Sequence, residues 1–282
     1  NKNLYAIHYG IVGGYNSYAE NLFVRQITPS IQFRFRQNND FRSNKKHWLS
    51  IRHVNIQRDR DDSNILTTTE PNYSVFNIRY VNSNDNLINY KKWYTDFQAG
   101  QDFSKVSFNY EYRRLFESNR QINIRAFAGA FLKNKTDINS NYFSFALDRP
   151  TDYLFDYNYL GRSEASGIFS QQYITAEGGF KSKLETPFAN QWITTINMST
   201  TLWKYILAYG DMGLVKNKFD SAHFVYDSGV RINLVTDYFE IYLPIYSNLG
   251  WEIGQPNYDQ KIRFKFTADP QVLLGLFRRR WF

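Results

Sequence analysis

Hydrophobic and polar residues alternate with a period of two along most of this chain. In one segment the apolar Val106 and Phe108 lie between the polar Lys105, Ser107 and Asn109. Because successive side chains of a β-strand point to opposite faces, the pattern predicts a strand with one apolar and one polar face. The same alternation recurs around Phe33, Ile78, Ile124, Ile232, Ile241 and Phe264.

The alternation predicts about twelve strands in one all-β domain with very little helix. The predicted strands are residues 27–37, 46–58, 73–83, 91–101, 104–116, 120–133, 140–148, 172–185, 203–216, 223–235, 237–247 and 260–268. Residues 4–14 and 190–203 also carry strand patterns, which makes fourteen the alternative number. Single-chain bacterial membrane barrels have even numbers of strands, and both counts satisfy that rule. Tight turns are predicted at Thr236-Asp237 and around Gln101–Ser104.

A soluble antiparallel sheet and a membrane-spanning β-barrel produce the same alternation. Three features favour the barrel. The segments have about the ten residues that a tilted strand needs to cross a bilayer, their polar face is rich in Arg and Glu, and aromatic residues lie near segment ends, as in interface girdles. The residues assigned to the membrane interface are Trp48, Trp93, Tyr246, Trp281 and Phe282. The sequence therefore predicts an antiparallel transmembrane β-barrel.

Composition supports a membrane location and removes some functional classes. Aromatic residues form 18% of the 282 residues, with 22 Tyr and 24 Phe. Side chains that combine apolar area with a polar edge suit a membrane interface. Cys is absent, which excludes disulfides and thiolate metal sites. The formal charge of +8 is spread along the segments rather than clustered, so nucleic acid is not an expected partner.

Three regions follow from these patterns. Residues 1–26 are an entry segment or an extra strand, and residues 27–269 form the barrel. Residues 270–282 are a basic and aromatic tail suited to the headgroup boundary. The first residues contain no signal peptide, so we expect a processed chain or part of a longer one. The predicted location is a bacterial outer membrane, whose lipid is the main predicted contact.

An ordered series of short motifs lies between residues 150 and 268. It runs through Leu160-Gly161-Arg162, Gly178-Gly179-Phe180, Leu184-Glu185-Thr186-Pro187-Phe188, Tyr209-Gly210-Asp211-Met212-Gly213, Asp227-Ser228-Gly229-Val230-Arg231, Tyr242-Leu243-Pro244 and Ile262-Arg263-Phe264-Lys265-Phe266. The series resembles the bacterial surface antigen family, a superfamily of polypeptide-transporting outer-membrane barrels. Members fold a long extracellular loop back into the barrel lumen, and here that loop is residues 148–172. Members usually have sixteen strands and an Arg-Gly-aromatic loop tip, from which this chain departs.

The resemblance implies an ion-pair network in the lumen. In it Arg162 reaches inward and pairs with Glu185 and Asp211, since a guanidinium binds carboxylates bidentately. The alternative is that Arg162 is a solvated loop residue and that the two acids pair with lumen arginines such as Arg231 or Arg125.

The last strands resemble the C-terminal barrel of gluzincin aminopeptidase-like membrane proteins of Bacteroidota. The resemblance rests on Tyr242–Asn248, Gly250-Trp251-Glu252-Ile253 and Gln255–Phe264. It implies a metallo-aminopeptidase domain upstream, because no His-Glu-x-x-His motif occurs in these residues. Neither a catalytic site nor a cofactor is predicted here. Asp59, Asp61 and Asp62 are read as a solvated loop rather than a Ca²⁺ site.

Three functions remain open at this point. The first is a barrel module that anchors, and gives passage to, a larger envelope protein with a peptidase-like domain upstream. The second is a stand-alone polypeptide transporter or assembly factor, and the third is a structural subunit of an outer-membrane complex with other envelope proteins as partners.

Overall fold

A computed structural model describes residues 3–19, 22–36, 43–59, 72–135, 142–157, 160–162, 164, 166–235 and 239–266. Within these ranges the chain forms fifteen strands. They are β1 (Leu4–Ala19), β2 (Leu22–Phe35), β3 (Lys45–Arg58), β4 (Asn72–Asp85), β5 (Asn89–Gly100), β6 (Phe103–Leu115), β7 (Gln121–Asn134), β8 (Phe145–Ala146), β9 (Phe188–Ala189), β10 (Trp192–Trp203), β11 (Ile206–Lys216), β12 (His223–Val235), β13 (Phe239–Ser247), β14 (Gly250–Trp251) and β15 (Arg263–Phe266).

Thirteen of these strands make one antiparallel sheet. Strands β1 to β7 are neighbours in chain order, β10 follows β7, and the order continues through β11, β12 and β13 to the two-residue β14. Strand β15 also pairs with β13, and β8 pairs separately with β9. The described helices are two 3₁₀ turns, Ile168–Gln171 and Tyr258–Lys261. The predicted all-β antiparallel fold with very little helix is therefore confirmed. No helix in the described ranges is long and apolar enough to span a bilayer.

The structure differs from the twelve predicted strands at four segments. The alternative strands 4–14 and 190–203 exist, as β1 and β10. The predicted strands 140–148 and 172–185 are wrong: among the described residues 142–148 only Phe145–Ala146 is a strand, and 172–185 contains no strand. Both segments are largely buried, with residues such as Leu147, Phe180 and Leu184 below 5% exposure. Their apolar residues pack within the protein instead of alternating across a sheet, and local sequence does not separate these two cases.

The sheet has two faces of opposite character. We call the described residues between 142 and 190 the inner segment, and the sheet face that it contacts the inner face. On β6 the inner-face residues Lys105 and Asn109 are buried, at 2% and 0% exposure, whereas Phe108 on the outer face is 41% exposed. On β10, Asn197 is buried while Ile196 and Met198 are exposed. At these positions the buried inner-face residues are polar and the exposed outer-face residues are apolar, whereas a soluble domain usually buries its apolar residues.

Two apolar clusters hold the inner segment to the sheet. The first joins Phe143, Tyr153, Leu154 and Phe155 of the inner segment to Val24, Val54, Ile56, Val75 and Phe103 of β2, β3, β4 and β6. The second joins Phe145, Leu147, Phe180, Leu184 and Ala189 to Phe127, Ile193, Val215 and Val225 of β7, β10, β11 and β12. The segment is therefore packed along most of the sheet.

Turns and tail are only partly described. The predicted tight turn between β5 and β6 is confirmed, since Gly100 ends one strand and Phe103 begins the next. The predicted turn at Thr236 and the tail 270–282 lie outside the described residues, as do Asp61 and Asp62.

Candidate functional site

A buried cluster of charges fastens the second half of the inner segment to the sheet. The Lys181 ammonium donates to both carboxylate oxygens of Asp211 on β11, at 2.8 and 2.7 Å. The Asn197 amide on β10 donates to the same carboxylate at 3.0 Å. Asp227 on β12 accepts the backbone N–H groups of Lys181 and Ser182, both at 2.6 Å. We call Lys181, Asn197, Asp211 and Asp227 the charged anchor.

Two glycines let the backbone reach this position. A Cβ on Gly178 would lie 2.6 Å from the Leu147 Cα, so only glycine permits the close approach of these two chain segments. Gly179 has φ of +76°, a left-handed conformation that favours glycine. The turn directs Lys181 toward β11, and its ammonium lies 5.6 and 5.3 Å from the ring centroids of Tyr173 and Tyr209. The paired glycines therefore mark a turn and not the predicted strand.

The first half of the inner segment is fastened chiefly by aromatic residues. We call Phe103, Phe143, Tyr153, Leu154 and Phe155 the aromatic anchor. The rings of Phe103 and Phe143 stack with centroids 4.5 Å apart. The anchor also contacts polar groups of the sheet: the Tyr153 hydroxyl donates to the Gln98 side chain, and the Leu154 carbonyl accepts from Gln26 at 2.9 Å.

Arg162 binds a different acid from the one predicted. Its guanidinium lies 2.5 Å from the Asp152 carboxylate and 5.1 Å from the Phe155 ring centroid, within the inner segment itself. Asp211 instead pairs with Lys181, and Glu185 is exposed. The predicted pairing of Arg162 with Glu185 and Asp211 is thus replaced by two separate ion pairs. The cation that reaches the sheet is Lys181, nineteen positions further along the chain than Arg162.

Burial shifts the pKa of the Asp152 carboxyl more strongly than the neighbouring Arg162 guanidinium does. Desolvation raises the pKa of Asp152 to about 6, although the Arg162 guanidinium acts to lower it. The carboxylate also accepts the Asp156 N–H at 2.8 Å. Asp156 in turn forms a bidentate pair with Arg52 of β3, at 2.7 and 2.6 Å.

Arg231, the other predicted member of the network, lies on the inner face of β12. Its guanidinium is 3.4 Å from Glu240 of the neighbouring β13, and its side chain is 14% exposed. It is therefore paired between adjacent strands, and the alternative reading, in which Arg231 or Arg125 takes up Asp211 or Glu185, is not the arrangement observed. Arg125 bonds the amide oxygens of Asn109 and Asn197, at 2.7 and 3.0 Å.

The predicted interface residues lie on both faces. Trp93 packs between Tyr80 and Phe108, with centroids 5.4 and 6.2 Å away, in an aromatic row on the outer face. The Tyr246 ring lies 5.8 and 5.4 Å from the ring centroids of Tyr226 and Trp251, the second in an edge-to-face arrangement, in a similar row. Trp48 shares the inner face with Arg52 by the two-residue period of β3, and so does not belong to the outer rows. Trp281 and Phe282 lie outside the described residues.

Sequence reasoning missed Lys181 and Asp227 as a pair of anchoring residues. The available signal was the position of Lys181 directly after Gly178-Gly179-Phe180 and the alignment of Asp227 with Asp211 on paired strands. In the described ranges, no three His, Asp or Glu side chains converge where a metal ion could bind. The arrangement indicates a structural role, in which buried ion pairs hold the inner segment against the sheet.

Comparison with protein-family models and with curated proteins found no match to this chain.

Proposed function

We propose that this chain is a transmembrane β-barrel of a bacterial outer membrane, filled by its own inner segment, and that it anchors a larger envelope protein. The observation that supports it is the inverted polarity of the sheet. On β11 the buried Asp211 lies next to Met212, which is 40% exposed, and Leu214 further along is 41% exposed. Water would penalise such an outer surface, whereas the hydrocarbon of a bilayer would not.

Closure of the sheet into a barrel is supported by the reach of the inner segment. It hydrogen-bonds near one end of the sheet, where Gln26 of β2 donates to Leu154. It also bonds near the other end, where the Gln172 amide donates to the Phe266 carbonyl of β15 at 3.1 Å. Strands lie about 4.8 Å apart in a sheet. One short segment contacts distant strands on the same face more readily if the sheet curves around it.

The filled interior favours anchoring over passage. Lys181, Ser182 and Phe180 are buried among β7, β10, β11 and β12, and a passage would require this region to move. The proposed partner is a peptidase-like domain upstream in the same polypeptide. That part of the proposal rests on the resemblance of Tyr242–Phe264 to the aminopeptidase-associated barrels.

A polypeptide transporter is the second candidate, and β1 is the observation in its favour. No strand in the described residues pairs with the outer edge of β1. Tyr9 and Ile11 of this strand are 77% and 78% exposed. An unpaired edge of this length can accept another strand. In a transporter the edge would receive a segment of the cargo.

The membrane proposal is tested by labelling, and the absence of native Cys makes single-cysteine variants simple to interpret. Met198→Cys and Ser199→Cys, adjacent on β10 and on opposite faces, would each carry an environment-sensitive fluorophore in lipid vesicles. We expect a lipid-soluble quencher to act on position 198 and not on position 199. Quenching of position 198 only by aqueous iodide would overturn the membrane-spanning proposal.

Anchoring and transport differ in the mass of the native protein. An antibody against residues 148–172 would detect it in freshly isolated, protease-inhibited outer membranes. A mass about three times that of this chain supports the anchor, because it leaves room for an upstream enzyme. A mass equal to that of the chain contradicts the anchor and favours transport or a subunit role.

A further inference from the structure

The inner face borders a partly open cavity of about 370 Å³ beside the charged anchor. That volume is within the range of small-molecule sites in proteins. Five cationic side chains line it, and Glu111 is the acidic residue among its lining. The cations are Arg113, Arg125, Lys181, Arg231 and Lys265.

Two of the cations at this cavity have no carboxylate partner within the described ranges. Lys181 and Arg231 have carboxylate partners, Asp211 and Glu240. Arg125 bonds two neutral amide oxygens, and within the described ranges it has no carboxylate partner. Lys265 likewise forms no ion pair in the part of the chain that is described, although it lies opposite Glu240 in the strand pairing. Positive charge away from bulk water is stabilised when an anion accompanies it.

Buried donors at the cavity provide an independent observation. The Tyr209 hydroxyl has no hydrogen-bond partner in the described structure, and the residue is only 5% exposed. The Arg231 Nε is also buried without a partner among the described residues. Both residues line the cavity. A buried donor without an acceptor destabilises the folded state, and an oxyanion in the cavity would accept from both.

We propose that this cavity is a binding site for a small organic anion that carries a phosphate or carboxylate group. The oxyanion lies near Arg125 and Lys265, whose charges have no carboxylate partner, and accepts from the Tyr209 hydroxyl. Tyr173 and Tyr242 pack with centroids 4.9 Å apart at the same cavity and present aromatic rings to the rest of the ligand. This site does not depend on the membrane proposal, because the side chains that carry it, Arg125, Lys265, Tyr209, Tyr173 and Tyr242, lie on the inner face or in the inner segment.

The experiment is a thermal-stability titration of the intact chain in uncharged detergent. Pyrophosphate and citrate serve as soluble probes, with NaCl at matched ionic strength as the reference. We expect a saturable rise in Tm, as for any ligand that binds only the folded state. In Lys265→Gln and Arg125→Gln the apparent Kd should rise about tenfold or more. Lys204→Gln, which removes an exposed charge in the turn between β10 and β11, should bind like the unmodified chain.

The outcomes separate a soluble ligand from a lipid headgroup. Mixed micelles containing phosphatidylglycerol form the second arm of the titration. Stabilisation by this lipid alone, lost in Lys265→Gln, would identify the headgroup phosphate as the bound group. Equal stabilisation of Lys265→Gln and Lys204→Gln by every probe would overturn the site, as would no stabilisation beyond that by NaCl. Arg125 also holds Asn109 and Asn197, so Lys265→Gln is the decisive variant if Arg125→Gln does not fold.

Discussion

The two halves of the inner segment are fastened to the same sheet by different forces. The aromatic anchor, around Phe103 and Tyr153, relies on apolar area and ring packing, which have little directional demand. The charged anchor, around Lys181 and Asp211, needs each group in place, because an uncompensated buried charge is costly. The first should therefore weaken gradually as its side chains are trimmed, whereas the second should fail when any one member is removed.

The largest expected effect is the loss of one member of the charged anchor. Asp211→Ala leaves Lys181 buried without its carboxylate and should lower the free energy of unfolding by about 3–5 kcal/mol. Lys181→Ala should cost a similar amount, and the double variant should cost much less than the sum. The measurement is the urea midpoint of the heat-modifiable gel band in detergent. Fully additive losses would contradict the pairing.

A truncation in the aromatic anchor should cost somewhat less. Phe103 is 1% exposed, and Phe103→Ala should lower the unfolding free energy by about 3 kcal/mol through lost contacts and a cavity. This loss should not change with salt. The matched control is Phe108→Ala, on the outer face of the same strand, where detergent can fill the space. A larger effect at Phe108 than at Phe103 would show that the inner and outer faces have been assigned the wrong way round.

A pH effect of intermediate size is expected where the two halves meet. The pKa of Asp152 is raised from 3.8 to about 6, so the folded state favours the neutral acid. Its stabilising contribution is therefore complete below about pH 4 and is lost as the pH rises through about 6. From pH 4 to 7 the unfolding free energy should fall by on the order of 2 kcal/mol. Asp152→Asn should remove this part of the pH dependence, and an unchanged pH profile would count against the buried state of this carboxyl.

The smallest effect is expected at a surface ion pair whose shortest N–O distance is close to that of the buried pair. Lys46 and Asp85 are 2.8 Å apart, close to the 2.7 Å between Lys181 and Asp211, but their side chains are 60% and 39% exposed. Asp85→Asn should change the unfolding free energy by less than about 0.5 kcal/mol. Urea midpoints measured beside those of Asp211→Ala compare the two pairs directly. Equal losses would mean that burial does not control their strength.

The local sequence predicted a strand wherever apolar and polar residues alternate, because such a segment has one apolar and one polar face as a strand. Ten of the twelve predicted strands correspond to strands of the large sheet, because the period-two alternation is a property of adjacent residues. It failed at residues 172–185, where Ala176, Phe180 and Leu184 are buried by contacts with several strands at once. The pattern of a segment enclosed on all sides resembles that of a buried strand.

The ion-pair partners of the charged residues could not be predicted from adjacent residues. The resemblance placed a cation from the loop against Asp211, and a cation is present there, but it is Lys181 and not Arg162. A short motif indicates that an acid needs a partner, yet the choice among nearby cations depends on how the loop folds. Here the turn at Gly178 and Gly179 decides it.

The sequence by itself determined the antiparallel all-β fold, the short turn before Phe103 and the division of each strand into a polar and an apolar face. Only the tertiary structure decided that the inner segment packs against the inner face and that Arg52 pairs with Asp156, 104 positions away. The physical reason is the range of the interactions. Strand geometry repeats every two residues, so it is determined by adjacent residues in the sequence. Charged side chains instead pair with whichever partner the folded chain brings within about 3 Å.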